Sequence, residues 1–460
     1  MSVTTTRAAA ASSDLFGHPR GLTYLFATEM WERFSYYGMR ALLTLYMVKY
    51  LFQPGHAESV IGYAQLKGAY ESLLGPLGVQ PFASHIYGDY TALVYLTPIL
   101  GGLLADRVLG QRRTVLLGAS LMAVGHFMMA SERLMLLALL VLILGNGAFK
   151  PNISTQVGLL YPPGDPRRDR AFSIFYVGIN IGAFLSPLVC GTLAIAFGWH
   201  YGFAAAGIGM LIGLAIYLWG SPALPSDGFD RGQMEPSAPL NAEERRRLGA
   251  IAILFVPVTL FWATYEQQGN TIALWAEDYT NRTFDLGFWR GEIPAEWFQS
   301  FNPFLIFAFT PFIVALWTWQ SRRGREPTTV TKMAIGCFGV ALANLVLVAA
   351  AAVAGAQANG AVSWLWLAGY FVIITVGELY LSPTGLSLVT KVAPVRYLSM
   401  TMGVWLATSF LGNFIAGWLG SFWTGMDKRD FFLMLAAIAA AAAVVILICN
   451  GLLRRALKES

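Results

Sequence analysis

The chain has 460 residues, 56% hydrophobic and only 12% charged, with a mean hydropathy of +0.55. Soluble domains carry about 25% charged residues, so a soluble enzyme is excluded and an all-α polytopic membrane protein is expected. The net charge of +5 does not point to nucleic acid as a partner; its placement along the chain speaks of topology instead.

Residues 1–20 are polar and lack an apolar stretch with a small-residue cleavage site, so the first helix is the expected insertion signal. Apolar runs of spanning length predict twelve helices. They cover residues 22–52, 84–106, 113–131, 134–158, 169–197, 201–220, 248–276, 300–320, 329–354, 362–391, 396–424 and 428–453. A Pro-, Asp-, Glu- and Arg-rich linker, 221–247, separates two halves of six helices, 1–220 and 248–460. With both termini placed inside, 21 of the 31 Lys and Arg fall on the cytoplasmic side, seven outside and three within spans. That bias obeys the positive-inside rule and predicts a multi-pass plasma-membrane protein, the bacterial inner membrane fitting best, with cytoplasmic termini. Two long outer loops are expected, 53–84 and 278–299, the latter carrying Trp289 and Trp297 as interfacial anchors. Cys190, Cys337 and Cys449 lie in apolar segments and read as buried free thiols.

The first span is unusual. Glu29, Glu32, Arg33, Tyr36, Tyr37 and Arg40 recur at i, i+3, i+4, i+7, i+8 and i+11, one polar stripe on an apolar helix. Each charge at the bilayer centre costs at least about 2.5–3.5 kcal/mol, so the stripe must face a water-filled cavity or charged partners. Pairing among Glu29, Glu32 and Arg33 that merely holds helices together is the plainer alternative. Few other charges lie within spans. Lys150 precedes Pro151 in the fourth span and needs an acid, for which Glu29 and Glu32 are candidates. Glu266 and Glu378 lie in the seventh and tenth spans, and Asp89 near the start of the second. The first half thus sets Arg33 and Lys150 against Glu29 and Glu32, whereas the second has acids and no intramembrane base. A zwitterion fits such a cavity, its carboxylate on Arg33 and Lys150 and its ammonium on Glu378.

The halves echo each other. Trp31 and Gly38 are spaced as Trp262 and Gly269 are, and Gly145 to Lys150-Pro151 resembles Gly377 to Ser382-Pro383. Duplicated six-helix halves around a central site are the architecture of major facilitator transporters. The loop from Asp106 to Arg113 also resembles that superfamily's loop between spans 2 and 3. More specifically, Glu29-x-x-Glu32-Arg33-Phe34-x-Tyr36-Tyr37 resembles the signature of the proton-dependent oligopeptide transporter family. So do Phe149-Lys150-Pro151-Asn152, the run from Phe172 to Asn180, and Gly377-Glu378-x-x-x-Ser382-Pro383-x-Gly385.

That resemblance, spanning residues 20–450, implies uptake of di- and tripeptides together with protons, with the proton as coupling ion and no cofactor. It implies that Arg33 and Lys150 engage the peptide carboxyl end and Glu378 the amino end. Tyr36, Tyr37, Tyr95, Asn180 and Asn302 would line the pocket, completed by Trp262, Trp405 and Ser409. Glu29, Glu32 and Glu266, with Lys150, would couple the proton. Packing remains the alternative for Tyr95, Trp405 and Ser409, and helix–helix hydrogen bonding for Asn180 and Asn302. Two departures stand out. The linker is too short for the two extra helices of many bacterial members. Mammalian members carry a histidine in span 2 where Gly88 stands here; Asp89, with His85, is expected to add a proton site, unless both are exposed at the outer mouth. A monomer is expected. The same fold carrying nitrate, a sugar conjugate or a drug stays open, as do a membrane-embedded enzyme and a channel. Against an enzyme, the five histidines are scattered and no nucleophile elbow occurs.

Overall fold

The computed structural model describes residues 17–162, 165–225, 241–285, 287, 290–357, 360–393 and 398–457. Twelve long helices account for most of them: α1 (Arg20–Tyr46), α3 (Val79–Leu104), α4 (Gln111–Met129), α5 (Met135–Leu159), α6 (Arg167–Phe197), α7 (Trp199–Gly220), α8 (Ala242–Tyr265), α10 (Phe301–Arg322), α11 (Thr329–Ala356), α12 (Leu365–Val392), α13 (Leu398–Gly420) and α14 (Lys428–Leu457). Two shorter ones, α2 (Tyr63–Leu74) and α9 (Thr271–Asp278), lie between them. Among the described residues, ten of the long helices are apolar enough to cross a membrane on composition alone. The other two are α1, interrupted by its charged stripe, and α4, which opens on Gln111-Arg-Arg113.

The long helices form two bundles. Buried apolar side chains gather in one cluster from Leu22 to Leu224 and a second from Ala250 to Ile446, which also takes in Leu45. The echo between the halves has a structural basis. A Cβ on Gly145 of α5 would lie 2.9 Å from Met122 N and 3.0 Å from Gly118 O of α4. One on Gly377 of α12 would lie 3.2 Å from Val340 N and 2.8 Å from Gly336 O of α11. Both glycines thus admit the neighbouring backbone at carbonyl i and amide i+4, which small residues in membrane helices permit.

Three segments differ from the sequence expectation. The seventh span is not one helix: α8 stops at Tyr265, a tight turn covers Glu266–Gly269, and α9 follows. Hydropathy does not register the break. It rests on Gly269, whose bare Cα admits the Tyr87 hydroxyl, and on Asn270 at φ −111° and ψ −97°. The loop 53–84 contains α2. The loop 278–299 forms small ribbons: β1 (Thr280–Asn281) runs parallel to β4 (Val362–Ser363), and β2 (Thr283–Asp285) antiparallel to β3 (Arg290–Glu292). Trp297 donates its Nε1–H to Thr192 Oγ1 at 3.1 Å, joining the halves; Trp289 lies outside the described residues. So does most of the linker, but its end is a capping box, Asn241 and Glu244 bonding reciprocally at 2.8 and 2.9 Å.

Both Arg20 and Leu457 mark one end of the bundles, the near end. The halves are sealed at the far end. There Gln80 of α3 donates to Gly420 O (2.9 Å) and accepts from Thr424 Oγ1 (2.6 Å). Ser84 donates to Asn270 Oδ1 at 2.8 Å and Thr44 to Gly269 O at 2.7 Å. Lys49 pairs with Asp278. Just inside, α3 meets α13 backbone to backbone: a Cβ on Gly88 would lie 2.5 Å from Gly417 Cα. Toward the near end the same two helices expose Ile99, Leu100 and Leu103, and Met400 and Val404.

Candidate functional site

The stripe on α1 divides into two groups. Glu29, Glu32 and Arg33 are buried. Arg33 forks onto Glu32, Nε to Oε2 at 2.5 Å and Nη2 to Oε1 at 2.6 Å, and its Nε stands 3.5 Å from Glu29 Oε1. Lys150, carried by α5, pairs with that same Glu29 oxygen. Asn146, one turn earlier on α5, donates to Glu32 Oε1 at 3.4 Å. Two carboxylates and two cations thus close on each other, which is what permits four charges in a helix core. The side chain of Lys150 is 30% exposed, against 8% for Arg33 and none for Glu29, so it is the member that solvent reaches.

Tyr37 and Arg40, one turn further on, face a cavity of about 280 Å³ between the halves. Arg40 pairs with Glu266, in the turn after α8, and donates Nε–H to the Tyr87 hydroxyl at 2.7 Å. Tyr37 stands between two cations, its ring centre 5.8 Å from the Arg33 guanidinium carbon and 6.0 Å from that of Arg40. Across the cavity Glu378 of α12 is held by neutral donors. Its Oε2 accepts from the Tyr265 hydroxyl at 2.6 Å and from Asn302 Nδ2 at 2.8 Å. Among the described residues no Lys or Arg pairs with it.

Of the expected site residues, Tyr37, Tyr95, Asn180, Trp262, Glu266, Asn302 and Glu378 line this cavity. Arg33, Lys150, Glu29 and Glu32 form the ion cluster beside it. Tyr36 is buried under the Arg33 guanidinium, 4.8 Å from ring centre to Cζ, and stacks on Tyr90. Trp405 packs over Gly385, whose Cβ would lie 2.5 Å from the indole, and Ser409 is buried; neither lines the cavity. Asp89 is half-buried and makes no hydrogen bond or ion pair among the described residues. His85 is buried with its ring 5.3 Å from Tyr70, so the pair does not lie open at a mouth. Gly88 cannot carry a larger side chain while α13 touches it.

Sequence reasoning placed Arg40 on the cavity-facing stripe without giving it a role, and passed over Tyr176, Tyr265, Gln268, Gln299 and Ser382 as site residues; all six are in the cavity wall. Two had a signal. Arg40 continues the stripe and answers an acid in the half that has no base. Tyr176 lies one turn before Asn180, whose Nδ2 donates to its carbonyl at 3.0 Å. Chemically, the cavity offers an uncompensated carboxylate on one wall and, beside the other, cations that a ligand carboxylate must win from Glu29 and Glu32.

The sequence profile of the POT family matches residues 112–238 and 231–436. The peptide transporter YePEPT of Yersinia enterocolitica is 34% identical over 95% of this chain and 94% of its own. A di-/tripeptide transporter of Lactococcus lactis subsp. cremoris is 35% identical over 85% of this chain and 86% of its own. Among solved structures, a peptide transporter POT in complex with sulfate superposes with a TM-score of 0.81 at 32% identity, covering 97% of both chains. A POT family transporter in complex with 5-aminolevulinic acid gives 0.80 at 29% identity, covering 96% of this chain and 98% of that one.

Proposed function

Because the chain belongs to the POT family and has the major facilitator fold, we propose that it is a proton-coupled symporter importing di- and tripeptides by alternating access. The near end is the cytoplasmic side, both termini lie in the cytoplasm, and the protein works as a monomer in the inner membrane. Residues 1–220 and 248–460 are the units that rock, joined by 221–247. The state described above, sealed at the far end, is then inward-facing.

The observation that carries this reading is the contrast across the cavity. Arg33 and Lys150 stand on one side, matched to a carboxylate, and Glu378 on the other is held only by neutral donors. A zwitterion with separated termini answers both walls; nitrate has nothing to offer Glu378. The names of the relatives, one a di-/tripeptide transporter, support the cargo. Protonating Glu29 or Glu32 frees Lys150 or Arg33 for the peptide carboxylate, and protonating Glu266 releases Arg40 and with it one cross-half tie. Proton and peptide thereby favour the same rearrangement.

The test is uptake of labelled dialanine into proteoliposomes, with and without an inward proton gradient, comparing wild type with Glu32→Gln. Gradient-driven uptake is expected to fail in the variant while counterflow without a gradient survives. Loss of both, or of neither, removes Glu32 from the coupling. A wild type that ignores dialanine in both assays removes the peptide cargo.

A further inference from the structure

Glu296 is a buried acid that the transport scheme leaves unused. It sits in the turn Ala295–Ser300 leading into α10 and is 4% exposed. Its Oε2 is shut off from solvent and has no hydrogen-bond partner. The side chain belongs to one half and is pressed on the other. A Cβ on Gly191 of α6 would lie 2.8 Å from Glu296 Cβ and 3.6 Å from Oε2, so the contact depends on a bare glycine across the seam.

Beside it a pocket of about 340 Å³ has walls from both halves, with Lys49 and Trp199 on one and Glu277, Arg282 and Glu292 on the other. Lys49 and Glu292 are exposed, so the pocket reaches the outer surface. The charged groups there are already engaged. Arg282 pairs with Glu277 and Glu292, both at 3.0 Å, and Lys49 pairs with Asp278. Neither cation pairs with Glu296, and no histidine among the described residues lines the pocket.

A carboxylate buried without a paired cation is costly even with its own backbone N–H bonded to it, and such a group is tolerated in its neutral form. When the outer ends part, α6 and the turn separate and Glu296 meets water, where a carboxyl ionises at neutral pH. We propose that Glu296 is a further protonation site, which must take a proton from the outer side before the far-end seal can close. The proton enters through the outer pocket as the seam forms and returns to the same side when it reopens. Glu296 therefore sets how readily the seal closes at a given outer pH and adds nothing to the number of protons carried. This rests on the alternating-access reading and on the orientation given above.

The experiment is a distance measurement between spin labels at Gln53 and Thr283, exposed positions at the far ends of the two halves. The full chain would be held in lipid nanodiscs without peptide, from pH 8.5 to 5. In the wild type the sealed population is expected to grow as pH falls, by up to about tenfold per pH unit for a single linked proton. Glu296→Gln, which mimics the neutral acid, is expected to stay sealed across the range. Glu296→Asp should keep the dependence. A Glu296→Gln protein that follows the wild-type curve overturns the proposal, and so does a wild type whose distance ignores pH. Dialanine uptake by the same preparations separates the two readings: no uptake with an intact pH response sinks the peptide assignment and leaves this one standing.

Discussion

The two halves hold their buried acids by opposite means. Glu29 and Glu32 are met by Arg33 and Lys150, so the first half closes its charges on itself. Glu378 is met by a phenol and an amide, which ease its burial without cancelling its charge. If the cargo is a peptide, as proposed, its ammonium needs only to arrive at Glu378, whereas its carboxylate must displace an acid already in place. On the proposed reading, the difference would put the gating of binding in the first half and the attraction in the second.

The largest effect should come from breaking the closed side. Lys150→Ala leaves Glu29 without its ammonium, and removing one partner of a buried pair costs about 3–5 kcal/mol. Dialanine uptake and counterflow should both fall by at least about 100-fold, with 1.4 kcal/mol a factor of ten. Retained counterflow would mean that Lys150 serves coupling alone.

Glu378→Gln sharpens the other side. Competition by free dialanine should weaken about 10- to 100-fold, within the range for losing a charged hydrogen-bonded partner. N-acetyl-dialanine, which has no ammonium, should compete as it does against wild type. Equal losses for both ligands would show that Glu378 shapes the cavity rather than reading the amino end.

The smallest effect tests the role of the medium. Glu326 and Lys332 repeat the chemistry of Glu29 and Lys150, but Glu326 lies in a loop and its side chain is 34% exposed. The 2.6 Å hydrogen bond from Lys332 holds the Glu326 carboxyl below its ordinary range. Its stabilisation is present above the unfolded value near 4.3 and is lost as pH falls through the lower folded one. With the acid in solvent and the Lys332 side chain 9% exposed, such a pair contributes about 1 kcal/mol, so Glu326→Gln should leave uptake intact and lower the Tm at pH 7 only slightly.

The helices were legible because a bilayer demands apolar runs of a fixed length, and most of the long helices start and end within a few residues of their runs; α8, which stops at Tyr265 where the run continues to 276, does not. The partner of Lys150 was legible for a related reason: a buried ammonium must find an acid, and α1 supplied the candidates. The break at Glu266–Asn270 was not, since it follows from Tyr87 pressing on Gly269, a contact between distant segments that hydropathy does not see. Arg40 was placed on the stripe but its partner was not, because Glu266 comes from the other half. Trp405 and Ser409 share a helical face, but periodicity names a face without naming the neighbour it meets; here Trp405 meets Gly385. Trp262 and Asn302 do reach the cavity.

The bare contact between Gly88 and Gly417 has a kinetic consequence. Where side chains interdigitate, two helices turn past each other only after knobs leave their holes and rotamers change. Here backbone rests on backbone, with Ser84 O 2.8 Å from where a Gly417 Cβ would stand. The pair works as a bearing, smooth on both surfaces. In the proposed switch, friction would then come from the cross-half bonds around it, among them Arg40 to Glu266, Lys49 to Asp278, Trp297 to Thr192 and the amide contacts of Gln80 and Asn270, rather than from this pair.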